Sequence, residues 1–318
     1  MGYVIGVDLG GTKIAAALVA RDGTIAAQAR RSTHVEEGVD AVIERIVDCI
    51  HELEAQASHP IVGLGIGAAG MTDSKRGVIV MASNLKWQDV PLRDLLAARL
   101  GRSWTQPIQV DKDTNAAVLG EMLYGAGRGA KHLLYVTVGT GVGGGMVLGG
   151  RLYHGATEGA SDIGHLVLEP EGPVCGCGKR GCVETLASGP AIARQAQKAL
   201  SDGRSSTLST LDIETITAVE VVRAAREGDP LARDILSTAG QYLGIALAYY
   251  VDINNPECII IGGGVSAAGD LLLEPVRQMI AVRALPNNAQ AVRVILAGLG
   301  ASSGEIGAAA LVWHQLQH

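Results

Sequence analysis

Asp8-Leu9-Gly10-Gly11-Thr12-Lys13 stands between two short apolar runs, residues 3–7 and 14–19. Glycines at such a turn let backbone N–H groups converge on phosphate oxygens, and the acid beside them can hold Mg²⁺ through water. Arg21-Asp22-Gly23 turns the chain again, and residues 24–29 read as a third strand. Taken alone the segment is also an ordinary hairpin turn. It is not a Walker A loop, because neither Gly-Lys-Ser nor Gly-Lys-Thr occurs in the chain.

The pattern returns about 130 residues later, which turns a local signal into a statement about fold. Residues 133–138 are apolar, Gly139-Thr140-Gly141-Val142-Gly143-Gly144-Gly145 follows, 145–148 is a second run, and Gly149-Gly150 turns once more. Five glycines in seven residues exceed what a tight turn requires, which favours contact with phosphate. The next segment reads as a strand, so this is not a strand-to-helix dinucleotide fingerprint. Two copies of strand, glycine-threonine turn and strand predict a duplicated fold with two facing phosphate turns; two unrelated hairpins are the alternative. A third glycine turn, Gly262-Gly263-Gly264, closes the apolar run 258–261 and reads equally as a nucleotide contact or a strand end.

Between the copies the spacing predicts a helix over 40–56, strands at 61–67 and 107–110, and a helix over 115–124 with Asp113 and Thr114 as capping candidates. Later helices are predicted at 188–199, 218–248 and 301–317, strands at 258–261 and 292–296, and a mobile Ser/Thr-rich loop at 201–210.

Composition agrees with an α/β protein. The 318 residues suit two lobes better than one, 47% are hydrophobic and 18% charged, and no Phe is present, so the core rests on Val, Ile, Leu and Ala. A formal net charge of −6 with scattered Lys and Arg leaves no footprint for nucleic acid. The N-terminus carries no basic n-region, and no apolar run approaches 18 residues, so neither export nor membrane insertion is expected.

Three of the five cysteines, Cys175, Cys177 and Cys182, fall within eight residues, and His165 lies ten residues before the first. Thiolates and imidazole are ligands that zinc prefers, and four of them complete a tetrahedral shell with no position left for a catalytic water. The cluster predicts a structural Zn²⁺ and a reducing cytosol rather than a disulfide scaffold. Cys49 and Cys258 read as core residues.

The order of these motifs resembles the ROK family (repressors, open reading frames and sugar kinases) over essentially the whole chain. The N-terminal turn is shared widely among actin-like ATPases, but His165 with Cys175-Gly176-Cys177-Gly178-Lys179-Arg180-Gly181-Cys182-Val183-Glu184 is specific to the family. Glucose-phosphorylating members are the nearest match, through Asn84-Leu85-x-Trp87-x-Asp89-Val90-Pro91-Leu92 and the loop 65–70. The resemblance implies an actin-like ATPase fold of two ribonuclease-H-like lobes around a central cleft, the first formed by 1–114 plus 305–318 and the second by 115–304. It implies ATP with Mg²⁺ and a hexose as partners, a cytoplasmic enzyme, and assembly as a homodimer or homotetramer.

By the same resemblance Asp113 is the catalytic base for a 6-hydroxyl, a role chemistry also demands because a sugar hydroxyl is a poor nucleophile. Sugar contacts carried over are Asn84, Lys112, Asp113, Asp162, His165 and Glu184, with backbone near Ala68 and Gly70. Phosphate and nucleotide contacts are Asp8, Gly10, Gly11, Thr12, Lys13, Gly139, Thr140, Gly141, Gly262, Gly263 and Gly264, with Asp8 holding Mg²⁺ through water. Zinc ligands are His165, Cys175, Cys177 and Cys182. Three positions depart from the family pattern: Lys112 replaces Asn, Asp162 replaces Glu, and Ala69 replaces Pro. Lys112 can act as a donor to the sugar, pair with Asp111, or lower the pKa of Asp113. Asp162 withdraws a carboxylate by one methylene, which admits an N-acylhexosamine or other hexose as the substrate in place of glucose. The family's repressors carry a helix-turn-helix module before the kinase-like domain, and a first strand beginning at Tyr3 is expected to exclude it. A sugar-binding protein without catalysis is the remaining alternative, permitted by Lys112.

Overall fold

A computed structural model describes residues 2–316; Met1, Gln317 and His318, and with them the expected end of the last helix at Gln317, lie outside the described residues. The chain opens with a meander, β1 (Tyr3–Leu9), β2 (Lys13–Ala20) and β3 (Ile25–Ser32), and continues into α1 (Val39–Glu54) and β4 (Ile61–Ala68). Three short strands follow, β5 (Met71–Asp73), β6 (Val78–Ala82) and β7 (Trp87–Val90), then α2 (Leu92–Leu100), β8 (Ile108–Lys112) and α3 (Asp113–Tyr124). The second half begins with β9 (Leu133–Val138), β10 (Val142–Leu148) and β11 (Arg151–Leu152), and then α4 (Val183–Ala187), α5 (Gly189–Ser201), α6 (Ala218–Arg226) and α7 (Pro230–Asn254). It ends with β12 (Cys258–Gly262), α8 (Asp270–Arg283), α9 (Pro286–Ala291), β13 (Arg293–Leu296) and α10 (Ser303–Gln315).

The duplication is visible in strand order. One five-stranded sheet runs β3-β2-β1-β4-β8 and the other β11-β10-β9-β12-β13, which is the same order, third-second-first-fourth-fifth, in each half. In both, the first strand pairs in parallel with the fourth and the fourth with the fifth. The strands β5, β6 and β7 form a separate antiparallel sheet. Two compact units result: residues up to 131 with 145–160 and the segment from 297 on, and residues 132–144 with 161–296. The helix α3 lies whole within the first unit.

In the first unit, alternation along β1 assigns its side chains to two faces. Ile5, Val7 and Leu9 enter a core with Ile43, Ile46 and Ile50 of α1, whose apolar residues recur at helical spacing. Val4 joins Ala309, Val312 and Trp313 of α10 in the core of the other face. Gly6 and Gly65 open that second face. A Cβ on Gly6 would lie 2.0 Å from the Glu305 carbonyl oxygen, and one on Gly65 1.9 Å from that of Ala308. Backbone therefore rests on backbone where α10 crosses β1 and β4. Asp8, two residues beyond Gly6 on the same face, is carried to the start of α10.

Several elements differ from the sequence reading. The helix predicted over 218–248 is two helices, because Gly228 takes φ +102°, Asp229 caps α7 through the Ala232 N–H, and Pro230 begins the new helix. The loop 201–210 is tied down rather than free: the buried Asp229 Oδ2 accepts from Ser206 Oγ, Thr207 N and Thr207 Oγ1. At α3 the N-cap position is Lys112, whose side chain does not cap the helix, and Asp113 is the first helical residue.

Candidate active site

The first unit gathers its candidate residues around the β1–β2 turn. Gly10 N–H donates to the Lys13 carbonyl at 3.0 Å, and the buried Thr33 donates its hydroxyl to the Gly10 carbonyl at 2.7 Å and its N–H to the Thr12 carbonyl at 3.0 Å. Gly11 packs against the backbone of the β6–β7 turn, where a Cβ would come within 2.5 Å of the Asn84 carbonyl oxygen. Asn84 itself is exposed. Ala68 ends β4 fully buried, Ala69 N–H donates to the Leu9 carbonyl at 3.3 Å, and Gly70 adopts φ +112° against the Met81 carbonyl oxygen. The turn, Asn84 and the 68–70 segment thus belong to one cluster of loops.

Asp8 stands at the edge of this cluster. Burial pushes its carboxyl up to about 6; Lys13 pulls it down, and the negative charges of Asp113 and Glu305 raise it further. Lys13 Nζ lies 3.9 Å from Asp8 Oδ2. The other wall is Gly304 in the first turn of α10, where a Cβ would sit 2.5 Å from Asp8 Cγ. Glu305 is buried beside it, with Oε1 3.8 Å from Arg30 Nη2 and, among the described residues, no hydrogen-bond partner for Oε2.

Asp113 begins α3 and accepts the Thr114 N–H at 2.7 Å. The start of that helix is clamped by Asp111, which is buried at the end of β8. Asp111 Oδ1 accepts the Lys112 N–H at 2.7 Å and Asn115 Nδ2 at 2.8 Å, while Oδ2 meets His154 Nε2 at 2.7 Å. That bond holds the His154 imidazolium above its usual range. The Asp111 carboxylate therefore receives the main-chain N–H of Lys112.

The second unit assembles a different set. Gly139 N–H donates to the Gly141 carbonyl at 2.9 Å, closing the β9–β10 turn, and the Gly189 N–H at the start of α5 donates to the Gly139 carbonyl at 2.8 Å. Gly262 packs on the Tyr135 hydroxyl, and Gly263, at φ +84°, lies against the Val138 carbonyl oxygen, so the 262–264 turn borders the 139–141 turn. Between these turns, α5 and α6 enclose a cavity of about 750 Å³. Gly139, Thr140 and Gly264 line one end, and Pro190, Ala193, Val219 and Val222 supply apolar wall. A largely apolar cavity leading to glycine amides suits a nucleoside phosphate.

Beside the turn lie the four metal-type ligands. One donor atom from each of His165, Cys175, Cys177 and Cys182 lies within 4.8 Å of all the others. Cys175 Sγ is 3.7 Å from His165 Nδ1, and the sulfurs of Cys177 and Cys182 are 3.7 Å apart. His165 ends a short 3₁₀ turn, Ile163–His165, whose N-cap is Asp162. Glu184, in the first turn of α4, places Oε1 3.9 Å from Cys175 Sγ and accepts the Val142 N–H on Oε2 at 3.1 Å.

The sequence reading missed Gly304, Glu305, the Asp111–His154–Asn115 clamp and the helical lining of the cavity from α5 and α6, although it named Gly139, Thr140 and Gly264 at its end. No motif marks them: Gly304 lies far along the chain from Asp8, and the lining residues are ordinary helix-surface types until the fold sets α5 beside α6.

Two duplicated sheets, each opening with a glycine turn, and an apolar slot at one of them define a protein of the actin-like ATPase fold. The chain belongs to the ROK family, whose model matches residues 4–315. It is 39% identical to a glucokinase of Halalkalibacterium halodurans, over 98% of this chain and 96% of that one. Among solved structures it is similar to a ROK family glucokinase of Streptomyces griseus in complex with glucose and AMPPNP, at 34% identity and TM-score 0.83 over 98% and 99% of the two chains. A ROK family transcriptional regulator, described as a homologue of the E. coli MLC protein, matches at 28% identity and TM-score 0.89 over 99% of this chain and 78% of its own. Among the described residues no helix is long and apolar enough to cross a membrane.

Proposed function

We propose that this chain is a cytoplasmic kinase that transfers the γ-phosphoryl group of ATP to the 6-hydroxyl of glucose. The observation that carries it is the cavity of about 750 Å³ ending on Gly139 and Thr140. A sugar-binding regulator without catalysis has no need of a nucleotide-sized slot, whereas phosphoryl transfer depends on one. The similar S. griseus enzyme holds glucose and an ATP analogue, which supports the same pair of substrates here.

In this reading Asp113 accepts the proton of the attacking hydroxyl, and the bond to the Thr114 N–H fixes its carboxylate. Asn84, Lys112, Asp162, His165 and Glu184 bind the sugar hydroxyls, with backbone at Ala68 and Gly70. The amides of 10–13 and 139–141 hold phosphates, with Gly262, Gly263 and Gly264 at the adenosine. A partly buried carboxylate pushed up to about 6, with two like charges nearby, suits a divalent cation, so Asp8 would hold Mg²⁺ through water. Bound with ATP, Mg²⁺ neutralises developing phosphate charge.

The donor set also fits zinc. Tetrahedral Zn–S bonds of about 2.3 Å place sulfurs about 3.8 Å apart, against 3.7 Å between Cys177 and Cys182. His165, Cys175, Cys177 and Cys182 would hold a structural Zn²⁺, whose contribution is to stiffen the loop carrying His165 and Glu184. Assembly as a homodimer or homotetramer belongs to the same proposal.

Replacing Asp113 tests the base: D113N is expected to lower kcat by about 10²–10⁴-fold with the fold intact by circular dichroism. Equal turnover in mutant and wild type would remove Asp113 from the reaction. In the same coupled assay, glucose is expected to give the highest kcat/KM among glucose, mannose, fructose, allose, N-acetylglucosamine and N-acetylmannosamine. The second reading, an N-acylhexosamine kinase, rests on Asp162 in place of the longer carboxylate, and preference for an N-acetyl sugar would establish it.

A further inference from the structure

The segment that leaves the last metal-type ligand does more than present a sugar contact. From Cys182 the chain enters α4 and then α5, and it touches the 139–141 turn twice within seven residues. Glu184 Oε2 accepts the N–H of Val142, the residue that follows the turn, at 3.1 Å. The Gly189 N–H donates to the carbonyl of Gly139, the residue that begins it, at 2.8 Å. The fit is close at both ends. A Cβ on Gly141 would lie 2.4 Å from Glu184 Oε2, and one on Gly189 3.0 Å from the Gly139 oxygen. Ser188 secures the junction, its Oγ accepting the Ala191 N–H at 3.4 Å while its own N–H donates to the Glu184 carbonyl at 3.2 Å. Glu184 Oε1, meanwhile, lies 3.9 Å from Cys175 Sγ, so one carboxylate spans the metal loop and the turn.

We infer that the metal loop also sets the nucleotide end of the site: Glu184 and Gly189 clamp the 139–142 turn, and ordering of the four-ligand cluster holds that clamp. Glu184 is thereby a positioning residue for phosphate binding, in addition to the sugar contact it makes in the reading above. A charge-assisted bond to a backbone N–H keeps the turn in one conformation, and without it the turn's amides must be ordered by the nucleotide itself. The inference rests on the proposed phosphate role of the turn for its effect on affinity, but the clamp itself is independent of substrate.

The decisive measurement is hydrogen exchange of peptides covering 139–145 in protein free of sugar and nucleotide. Wild type, chelator-treated wild type and E184A are compared, with E184Q as the conservative variant because its amide oxygen can still accept the Val142 N–H. Exchange is expected to accelerate at least about tenfold after chelation and in E184A, and to stay near wild type in E184Q. ADP titrated calorimetrically into the same samples without sugar is expected to bind about tenfold more weakly after chelation and in E184A. Unchanged exchange at 139–145 in metal-free protein and in E184A would overturn the clamp. Wild-type protein that fails to bind ADP would instead remove the kinase assignment, with the exchange data still deciding the clamp.

Discussion

The two glycine turns occupy equivalent places in two sheets of the same strand order, yet their surroundings differ in chemistry. The first is fixed by Thr33 and stands beside an acid, Asp8, whose neighbours include two further carboxylates, Asp113 and Glu305. The second is fixed by Glu184 and Gly189 and opens on an apolar slot. A duplicated scaffold supplies the same backbone geometry twice, and the side chains that the later helices bring to each turn decide its task. In the proposed reading the first serves charge at the reacting phosphate and the second the remainder of the nucleotide.

The contrast can be broken most sharply at Gly304. G304A places a methyl 2.5 Å from Asp8 Cγ, and displacement of the carboxylate by about 1 Å is expected to cost about 10²-fold in kcat, read by steady-state kinetics. ADP affinity in the absence of metal should hold, because the second turn is untouched. Loss of nucleotide affinity without loss of kcat would reverse the roles given to the two turns.

A second test uses charge. A carboxyl with a folded pKa of about 6 and an unfolded value near 3.8 binds its proton more tightly when folded. Stability contributed by the protonated form is therefore lost as pH rises from about 4 through about 6. D8N should match wild type near pH 4 and exceed it by about 2 kcal/mol at pH 7.5 in urea unfolding without nucleotide, allowing for partial exposure. An identical difference at both pH values would show that Asp8 is not strained by burial. The smallest effect is expected at the slot: A193W fills part of it and should raise the KM for ATP about tenfold while leaving that for glucose unchanged. Equal effects on both substrates would deny the slot to the nucleotide.

Much of this was legible in the sequence, and for identifiable reasons. Both turns announce themselves by their dense glycines, and repetition of the turn carried the duplicated sheets with it. The four metal-type ligands were legible because His165, Cys175, Cys177 and Cys182 are close in the chain as well as in space. Residues brought in from afar were not. Gly304 is unremarkable in sequence until α10 crosses β1, and Pro190 or Val222 is unremarkable until α5 and α6 enclose a slot. The short strands β5 to β7 were missed because 71–90 mixes turn residues with brief apolar runs whose pairing is decided by neighbours. At α3 the preference of Asp for capping yielded to the clamp by Asp111, and the helix expected from 115 begins two residues earlier with Asp113 at its first position.

The seating of α10 on Gly6 and Gly65 bears on the order in which the molecule becomes competent. The floor of that seat is laid down in the first quarter of the chain, and the helix that fills it comes almost last. A nascent chain lacking the segment from 303 onward would display Val4, Ala17 and Val19 uncovered, with Asp8 missing the wall supplied by Gly304. During synthesis, which proceeds at about 5–20 residues per second, the first turn would wait for most of the time needed to make the protein before its site was complete. The residues that line the second turn's slot run only to 267, but the sheet beneath it is completed by β13 (Arg293–Leu296), shortly before α10. In the proposed reading, a chain that has not yet made α10 lacks the wall beside Asp8 and is kept from phosphoryl transfer by its own topology.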